Sequence, residues 1–347
     1  MVTGFQRGRF GNRRGRDPGR LAGLAPMSGN TGLRETIPAA LDGERLDRVV
    51  ALLGDVSRSR ANAALEAERG TLDGEVVTLR SHRVREGEEL TVTGFERDDV
   101  GAPAADATVP VVVLYVDEDV LVVDKPAGLV VHPGAGNRTG TLVNGLLASY
   151  PEIADVGSTT RPGIVHRLDQ GTSGALVVAR SQAGYDSLVA QLATRSVGRR
   201  YEALAWGRLE TANGVVDAPI GRSTRDRTRM AVVGSGRPAR TGYEVVATWD
   251  DPVVSHVACQ LETGRTHQIR VHMSAIGHPL VGDGAYGGHR AGLELGRPFL
   301  HAAHLSFDHP VTGARLSFEA ALPEDLQNLL TSLGPPIDGG PSNPLPA

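Results

Sequence analysis

The sequence predicts an α+β protein in two parts, a small αα-β module followed by a larger domain of strands with flanking helices. Three observations carry this expectation. Short stretches place apolar residues at helical spacing, as at Leu46, Val49, Val50 and Leu53. Apolar runs such as Val111–Val116, Val120–Val123 and Ala175–Ala179 sit between polar or Gly-rich turns, with no long parallel βαβ alternation around them. A polar, Ala- and Pro-rich stretch at 96–110 reads as a linker between the parts.

Composition narrows the functional classes. The 347 residues suffice for two or three domains and a large core. No run approaches the eighteen apolar residues of a membrane span, so no membrane partner is expected. The lone Cys259 excludes an internal disulfide framework and any multi-cysteine metal site, and suits a reducing, cytoplasmic setting. A net charge of −4 does not advertise a nucleic-acid binder, yet a local basic groove survives such averaging. Lys125 is the one lysine in a chain whose other cations are arginines, which invites a specific role for it.

Residues 1–35 read as a disordered basic tail, with Arg7, Arg9, Arg13, Arg14, Arg16 and Arg20 against Asp17 and no apolar periodicity. Met27 is an alternative start. Residues 40–95 form the small module. One helix follows Glu44 and stops at Gly54. A second, capped by Ser57 or Ser59, carries Ala61, Ala64 and Leu65 to about Gly70. Asp73-Gly74 signals a tight turn between two short strands, and Glu89–Val92 adds another. Arg58, Arg60 and Arg69 would set a basic face against a phosphate backbone; a dimerisation module is the alternative.

The larger domain spans 111–333. Its opening hairpin, Val111–Val116 and Val120–Val123, leads into Asp124–Gly134. Leu142, Leu146 and Leu147 mark a helix near 141–149, and Ser181 caps another through Tyr185, Leu188, Val189 and Leu192. Arg199–Gly207 reads as a strand with Tyr201, Ala203 and Ala205 on one side, where a Tyr is ordinarily core. Residues 221–240 are basic and irregular, either an RNA-tracking loop or a solvated insertion. Strands Tyr243–Thr248 and Val253–Leu261 precede a helix placing Ile269, His272, Met273 and Ile276 on one face. A last β region, Leu300–Phe307 and Arg315–Glu319, precedes a helix from Glu324 to about Leu330, and residues 334–347 look frayed.

Between apolar runs lies Gly163-Ile164-Val165-His166-Arg167-Leu168-Asp169-Gln170-Gly171-Thr172-Ser173-Gly174, with Asp169 at the apex of a turn expected to join two strands. This string resembles the active-site signature of the RluA-type pseudouridine synthases. Asp124–Gly134 resembles that family's first signature, the basic-Tyr-x-Ala strand at Arg200–Ala203 a second element, and Thr263–Met273 its third signature. The resemblance covers about residues 110–320. It implies a catalytic domain on a large mixed, mainly antiparallel sheet. It implies Asp169 as nucleophile, Arg270 paired with it, and Tyr201 lying against the target base. Arg167, His166, Lys125, Arg265 and His267 are its candidate substrate contacts. The order of residues 40–95 resembles the small RNA-binding domain first recognised in a small-subunit ribosomal protein. Synthases carrying that module typically act on large-subunit ribosomal RNA, and related ones on tRNA.

The residue chemistry suits this. A carboxylate beside a guanidinium stays ionised and oriented, as a nucleophile must. One carboxylate is too few for ordinary glycoside hydrolysis. It suits detaching and reattaching one base, a redox-neutral isomerisation expected to need no cofactor. A stacked uridine must flip out of its helix to be reached, and stacking on Tyr201 would return about 1–3 kcal/mol. Other readings fit less well. Gly134-Ala135-Gly136-Asn137-Arg138-Thr139-Gly140 misses the dinucleotide fingerprint. His267 and His272, five apart, point to different faces, so no metal is expected. Ser173 misses the Gly-x-Ser-x-Gly of a serine hydrolase. A non-catalytic RNA-binding protein would not need both Asp169 and Tyr201. The chain is expected to act as a monomer.

Overall fold

In the computed structural model the described residues are 33–37, 41–54, 58–94, 102–134, 137–226 and 228–337, and among these the side chains of Leu52, Arg58 and Ser59 lie outside the description. The chain divides into two compact units, Met1–Asp99 and Val100–Ala347.

In the first unit, β1 (Leu33–Thr36) precedes α1 (Leu46–Leu53) and α2 (Arg58–Glu66); β2 (Gly70–Leu72), β3 (Glu75–Val76) and β4 (Glu89–Val92) follow. The strands form an antiparallel sheet in the order β1-β4-β2-β3. Leu46, Val49 and Val50 are fully buried with Leu65, Leu90 and Val92, as the helical spacing requires. Asp73 and Gly74 both hold positive φ, 48° and 85°, the backbone a two-residue hairpin turn needs. One expectation is corrected. The basic tail was expected to stay disordered to residue 35, but Leu33–Glu35 pair with Val92–Leu90. The partner strand lies more than fifty residues away, so no local pattern announces the pairing. Residues 1–32, with Met27 and the Arg cluster, lie outside the described residues, as does Ser57.

The second unit contributes β5 (Val112–Val116), β6 (Val120–Lys125), α3 (Leu142–Ser149), the short pair β7 (Gly157–Ser158) and β8 (Arg161–Pro162), and β9 (Ser173–Ala179). Next come α4 (Gln182–Ala193), β10 (Gly198–Trp206), β11 (Asn213–Asp217), β12 (Ile220–Arg222), β13 (Met230–Val232), β14 (Arg240–Asp250) and β15 (Val253–Leu261). The chain closes with α5 (Gln268–Ala275), β16 (Leu300–Asp308), β17 (Arg315–Glu319) and α6 (Glu324–Ser332). Nine strands form one sheet in the order β11-β14-β15-β10-β16-β9-β6-β5, with β17 added against β16. Its one parallel pair among the described strands is β9 with β16.

Burial on both faces explains the unbroken apolar runs. Leu121, Val123, Leu176 and Val178 face a core shared with α3 residues Leu142 and Leu146. Val120, Val122, Ala175 and Val177 face a second core with Leu188 of α4. The Ser181 hydroxyl accepts from Gly184 N–H at 2.9 Å and caps α4. Tyr201, Ala203 and Ala205 fall together on the α3 side, with Ile269 and Met273 of α5.

Four expectations change. The run before Asp169 forms no strand, only an isolated bridge from Ile164 to Val178. Part of the basic 221–240 stretch is ordered, because β12 pairs with β13. Residues from Gly334 were expected to fray; 338–347 lie outside the described residues, but within 334–337 Trp249 Nε1 donates to Gly334 O at 2.9 Å and Ile337 N to Thr248 O at 3.0 Å. Ile276 shares no buried face with Ile269, since it caps α5 and is 38% exposed. Of the expected linker, residues 102–110 run along α3. Asn144 Nδ2 donates to Ala104 O at 2.7 Å, and Asp106 N to Asn144 O at 2.9 Å.

The parallel crossing is where β9 leaves the central turn. Gly174 sits there with φ +115°, opposite Ala302, and an added Cβ would overlap the Ala302 carbonyl. Gly174→Ala is therefore expected to destabilise the fold by more than about 1 kcal/mol, through strain and clash together. Denaturant unfolding checks this, and a midpoint and slope equal to wild type would contradict it.

Candidate active site

The central turn stands on buried supports. Leu168 is 3% exposed in the main core, and Thr172 N donates to Asp169 O at 3.0 Å to close the turn. Gly128 N donates to Gln170 O at 2.7 Å, while Gln170 Nε2 returns a bond to Gly128 O at 3.1 Å. Beneath lies Lys125, wholly buried, its ammonium donating to Pro126 O at 2.7 Å, Leu129 O at 2.9 Å and Gln170 O at 3.4 Å. A compact three-donor head suits three convergent carbonyls. Burial pushes its pKa down to about 8, with the Asp169 charge opposing. Lys125 was expected to touch substrate. It does not line the cavity, and its donors are turned to the main chain. It ties the Asp169 turn to the loop at 125–129.

Asp169 opens into a cavity of about 520 Å³. Tyr201 lines it from β10, and Arg265, His267, Gln268 and Ile269 line it from the start of α5. Five arginines, Arg161, Arg167, Arg195, Arg199 and Arg265, face two carboxylates, Asp169 and Glu262. A cavity so lined draws anions despite the chain's negative total. Burial pushes the Tyr201 phenol up to about 12, so it stays protonated near neutrality.

Arg270 meets Asp169 as expected, but it also holds a second acid. Its planar fork is bidentate to Asp283, Nε to Oδ2 at 2.7 Å and Nη2 to Oδ1 at 2.8 Å. Only Nη1 faces Asp169, 3.5 Å from Oδ2. Asp283 is fully buried and also accepts from Ala285 N at 3.1 Å. Burial alone would lower the Arg270 pKa, but the bond to Asp283 and the charges of Asp283 and Asp169 carry it above its ordinary value. The Tyr286 ring lies 5.0 Å from the guanidinium carbon, and its hydroxyl is 2.7 Å from His267 Nδ1. Sequence reasoning missed Asp283 and Tyr286. The signal was slight: an acid between Gly282 and Gly284, after a short apolar run.

The remaining candidates separate. Arg167 is exposed at the cavity edge. Arg265 lines the cavity while its Nε donates to Pro238 O at 3.1 Å. His267 is held in the left-handed region, φ 58°, and burial keeps its pKa below the ordinary value against the pull of Asp169. His166 lines the cavity but spends Nε2 on Val177 N–H, 3.2 Å away, and burial pushes its pKa down to about 3. His272 turns away toward Thr241 Oγ1 and Ala218 O, both 2.9 Å from its ring nitrogens. His132, unremarked in sequence, also lines the cavity, 8% exposed and with pKa pushed down to about 4 by burial. In the small unit, Arg60 is half-buried and Arg69 exposed, its Nη1 donating to Gly94 O at 3.2 Å. The Arg58 side chain lies outside the described residues. Among the described residues the one group able to gather about a cation is Asp117, Asp119 and His309. None lines the cavity, and Asp117 is already engaged by Tyr115, Asp119 N, Val120 N and His309.

A single oriented carboxylate beside an aromatic ring, in an arginine-lined cavity, is the equipment of an enzyme that acts on a nucleic acid. Comparison with known proteins makes this specific. Residues 119–275 match the family model described as RNA pseudouridylate synthase. The chain is 44% identical over 315 residues to a ribosomal large subunit pseudouridine synthase D of Vibrio vulnificus, covering 87% of this chain and 94% of that one. It is 43% identical over 293 residues to an RNA pseudouridine synthase of Bacillus subtilis, covering 84% and 94%. The solved structure of human RNA Pseudouridylate Synthase Domain Containing 1 aligns with TM-score 0.50 at 29% identity, covering 67% of this chain and 99% of that one. The chain belongs to the RluA-type RNA pseudouridine synthases. It is thus an isomerase that converts uridine in RNA to pseudouridine.

Asp283 should be as necessary to the site as the residues that line it. Asp283→Ala would leave Arg270 buried without its bidentate partner, a loss of about 3–5 kcal/mol. Asp283→Asn, which retains one carbonyl acceptor, should lose less. Urea unfolding of the two variants tests this, and changes within about 0.5 kcal/mol for both would remove Asp283 from the account.

Proposed function

We propose that the protein converts particular uridines of large-subunit ribosomal RNA to pseudouridine, with Asp169 as nucleophile, Arg270 orienting it and Tyr201 supporting the flipped base. The observation that carries the chemistry is the placement of Asp169 at the cavity, 3.5 Å from an arginine fixed by a second, fully buried carboxylate. The RNA class rests on the near full-length similarity to enzymes named for the large ribosomal subunit.

The reaction exchanges one bond of the same base for another. The bond from the ribose to uracil N1 breaks, the ring turns, and a bond to C5 forms; C5 gives up a proton and N1 gains one. No electron acceptor is consumed. Asp169 supplies the negative charge, and the single contact from Arg270 orients it while leaving oxygen lone pairs open toward the cavity. Tyr201, 5% exposed and protonated, offers a ring face rather than an anion. Exposed Arg161 at the rim holds a flanking phosphate, and Arg167 beside the nucleophile either does the same or fills the space the flipped base vacates. Arg265 and His267 close the α5 side of the cavity. Residues 40–95 serve as a separate RNA-binding domain, with Arg58, Arg60 and Arg69 as its candidate phosphate contacts. The enzyme acts as a cytoplasmic monomer.

Asp169→Asn keeps the shape of the side chain and removes its charge. The expected result is loss of pseudouridine formation on large-subunit ribosomal RNA transcripts, with RNA affinity and melting temperature near wild type. Turnover at a tenth of the wild-type rate or more would sink the nucleophile assignment.

A further inference from the structure

Arg199 is a buried cation that no carboxylate among the described residues answers. It lines the same cavity as Asp169, two residues before Tyr201 on β10, so strand alternation turns both side chains to one side of the sheet. It is 7% exposed. Among the described residues its one hydrogen bond is long, Nη2 to Leu261 O at 3.5 Å, and its buried Nε has no partner there. No carboxylate lies within ion-pair distance of it among the described residues, and burial lowers its pKa. A Cβ at Gly264 would sit 2.8 Å from Arg199 Nη1, so the opposite loop leaves room for the guanidinium. The neighbouring His166 offers no charge, since burial keeps it neutral.

Burying a cation with unmet donors is costly, and native structures rarely leave such groups unanswered. Every other arginine of the cavity is either exposed at the rim or tied elsewhere: Arg161 and Arg167 are exposed, Arg195 pairs with Glu262 at 3.3 Å, and Arg265 donates to Pro238 O. The rim arginines are placed for phosphates, which stay with the strand when a nucleotide flips. Arg199 is more deeply buried than these, on the side of the sheet that carries Tyr201.

We infer that Arg199 grips a carbonyl oxygen of the flipped uracil, holding the ring while its bond to ribose is exchanged. This rests on the proposed function and adds a base-holding residue to it. Uracil presents two carbonyls, and both accept more strongly as the ring gathers negative charge on leaving the sugar. A planar guanidinium with several free donors can follow that oxygen as the ring turns. The contact then strengthens along the reaction and acts on kcat more than on KM.

The experiment uses the full chain and a ribosomal RNA fragment carrying one target uridine. Four substrates are compared: the natural RNA, the same RNA with 2-thiouridine or with 4-thiouridine at the target, and one with a methylphosphonate beside it. Sulfur is a poor acceptor, and the methylphosphonate removes a phosphate charge. Arg199→Met is expected to lower the single-turnover rate about 10- to 100-fold, the range for a hydrogen bond from a charged donor, with RNA affinity changed less than about twofold. One thio substitution should slow wild type by a similar factor and slow Arg199→Met hardly further, which is the non-additivity of groups in contact. Arg199→Lys, which keeps the charge and a shorter donor, serves as the second variant if the methionine variant melts early, and a thio effect smaller than wild type's but not absent is expected of it. Equal thio effects in wild type and variant would overturn the inference. So would coupling to the methylphosphonate instead, which would make Arg199 a phosphate contact. A wild-type enzyme that leaves the natural RNA unmodified would overturn the proposed ribosomal substrate, a failure separate from that of Arg199.

Discussion

Arg270 stands between two carboxylates, and the site depends on how it divides itself between them. Nε and Nη2 bind Asp283 in a bidentate fork, which leaves Nη1 to face Asp169. The fork fixes the guanidinium before any substrate arrives. The contact to Asp169 at 3.5 Å is longer than a good charged hydrogen bond. At that length the arginine sets the direction of the carboxylate without saturating its lone pairs. A second, buried acid that holds the arginine is a way to orient the Asp169 carboxylate without sequestering it.

The rest of the domain keeps Asp169 where Arg270 can reach it. Strand β9 is packed on both faces, pairs with β6 from Gly174 to Ala179 and with β16 at Ser173 and Gly174, so its start is a fixed point. Gly174 lets that start pass close to Ala302 on β16. Lys125 gathers three carbonyls, one of them on Gln170, and so joins the loop after β6 to the residue following Asp169. Arg270 comes from α5, whose Ile269 and Met273 are buried in the same core as Leu168. Asp169 and Arg270 are thus carried by elements that share one core, and their separation is set by packing rather than by the side chains alone.

Much of this was legible in the sequence, for physical reasons that differ by element. β6 and β9 were legible because burial on both faces demands unbroken apolar runs. α1 and α4 were legible through helical spacing and, in α4, the Ser181 cap. β1 was not, because its partner lies more than fifty residues on, beyond a Gly- and Arg-rich tail. The string around Asp169 marked the site, and its resemblance to a family pointed to Arg270 and Tyr201. Asp283 was hidden because it lies in an irregular loop, where an acid between glycines looks like any turn. Lys125 stood out as the only lysine but was assigned outward. Burial decides between holding a substrate and holding the backbone, and burial is a property of the fold. Arg199 was read as part of a strand; that its guanidinium lacks an anion becomes visible only when its surroundings are in place.

The division of Arg270 between two acids is the central claim, and Arg270→Lys tests it most directly. Lysine keeps a positive charge but cannot offer a planar fork to Asp283 and a third donor to Asp169 together. The account predicts a large fall in the single-turnover rate of pseudouridine formation, about 100-fold or more for a lost transition-state geometry, with RNA affinity little changed. A rate within about threefold of wild type would contradict it, because charge alone would then suffice and the paired geometry would carry no catalytic weight.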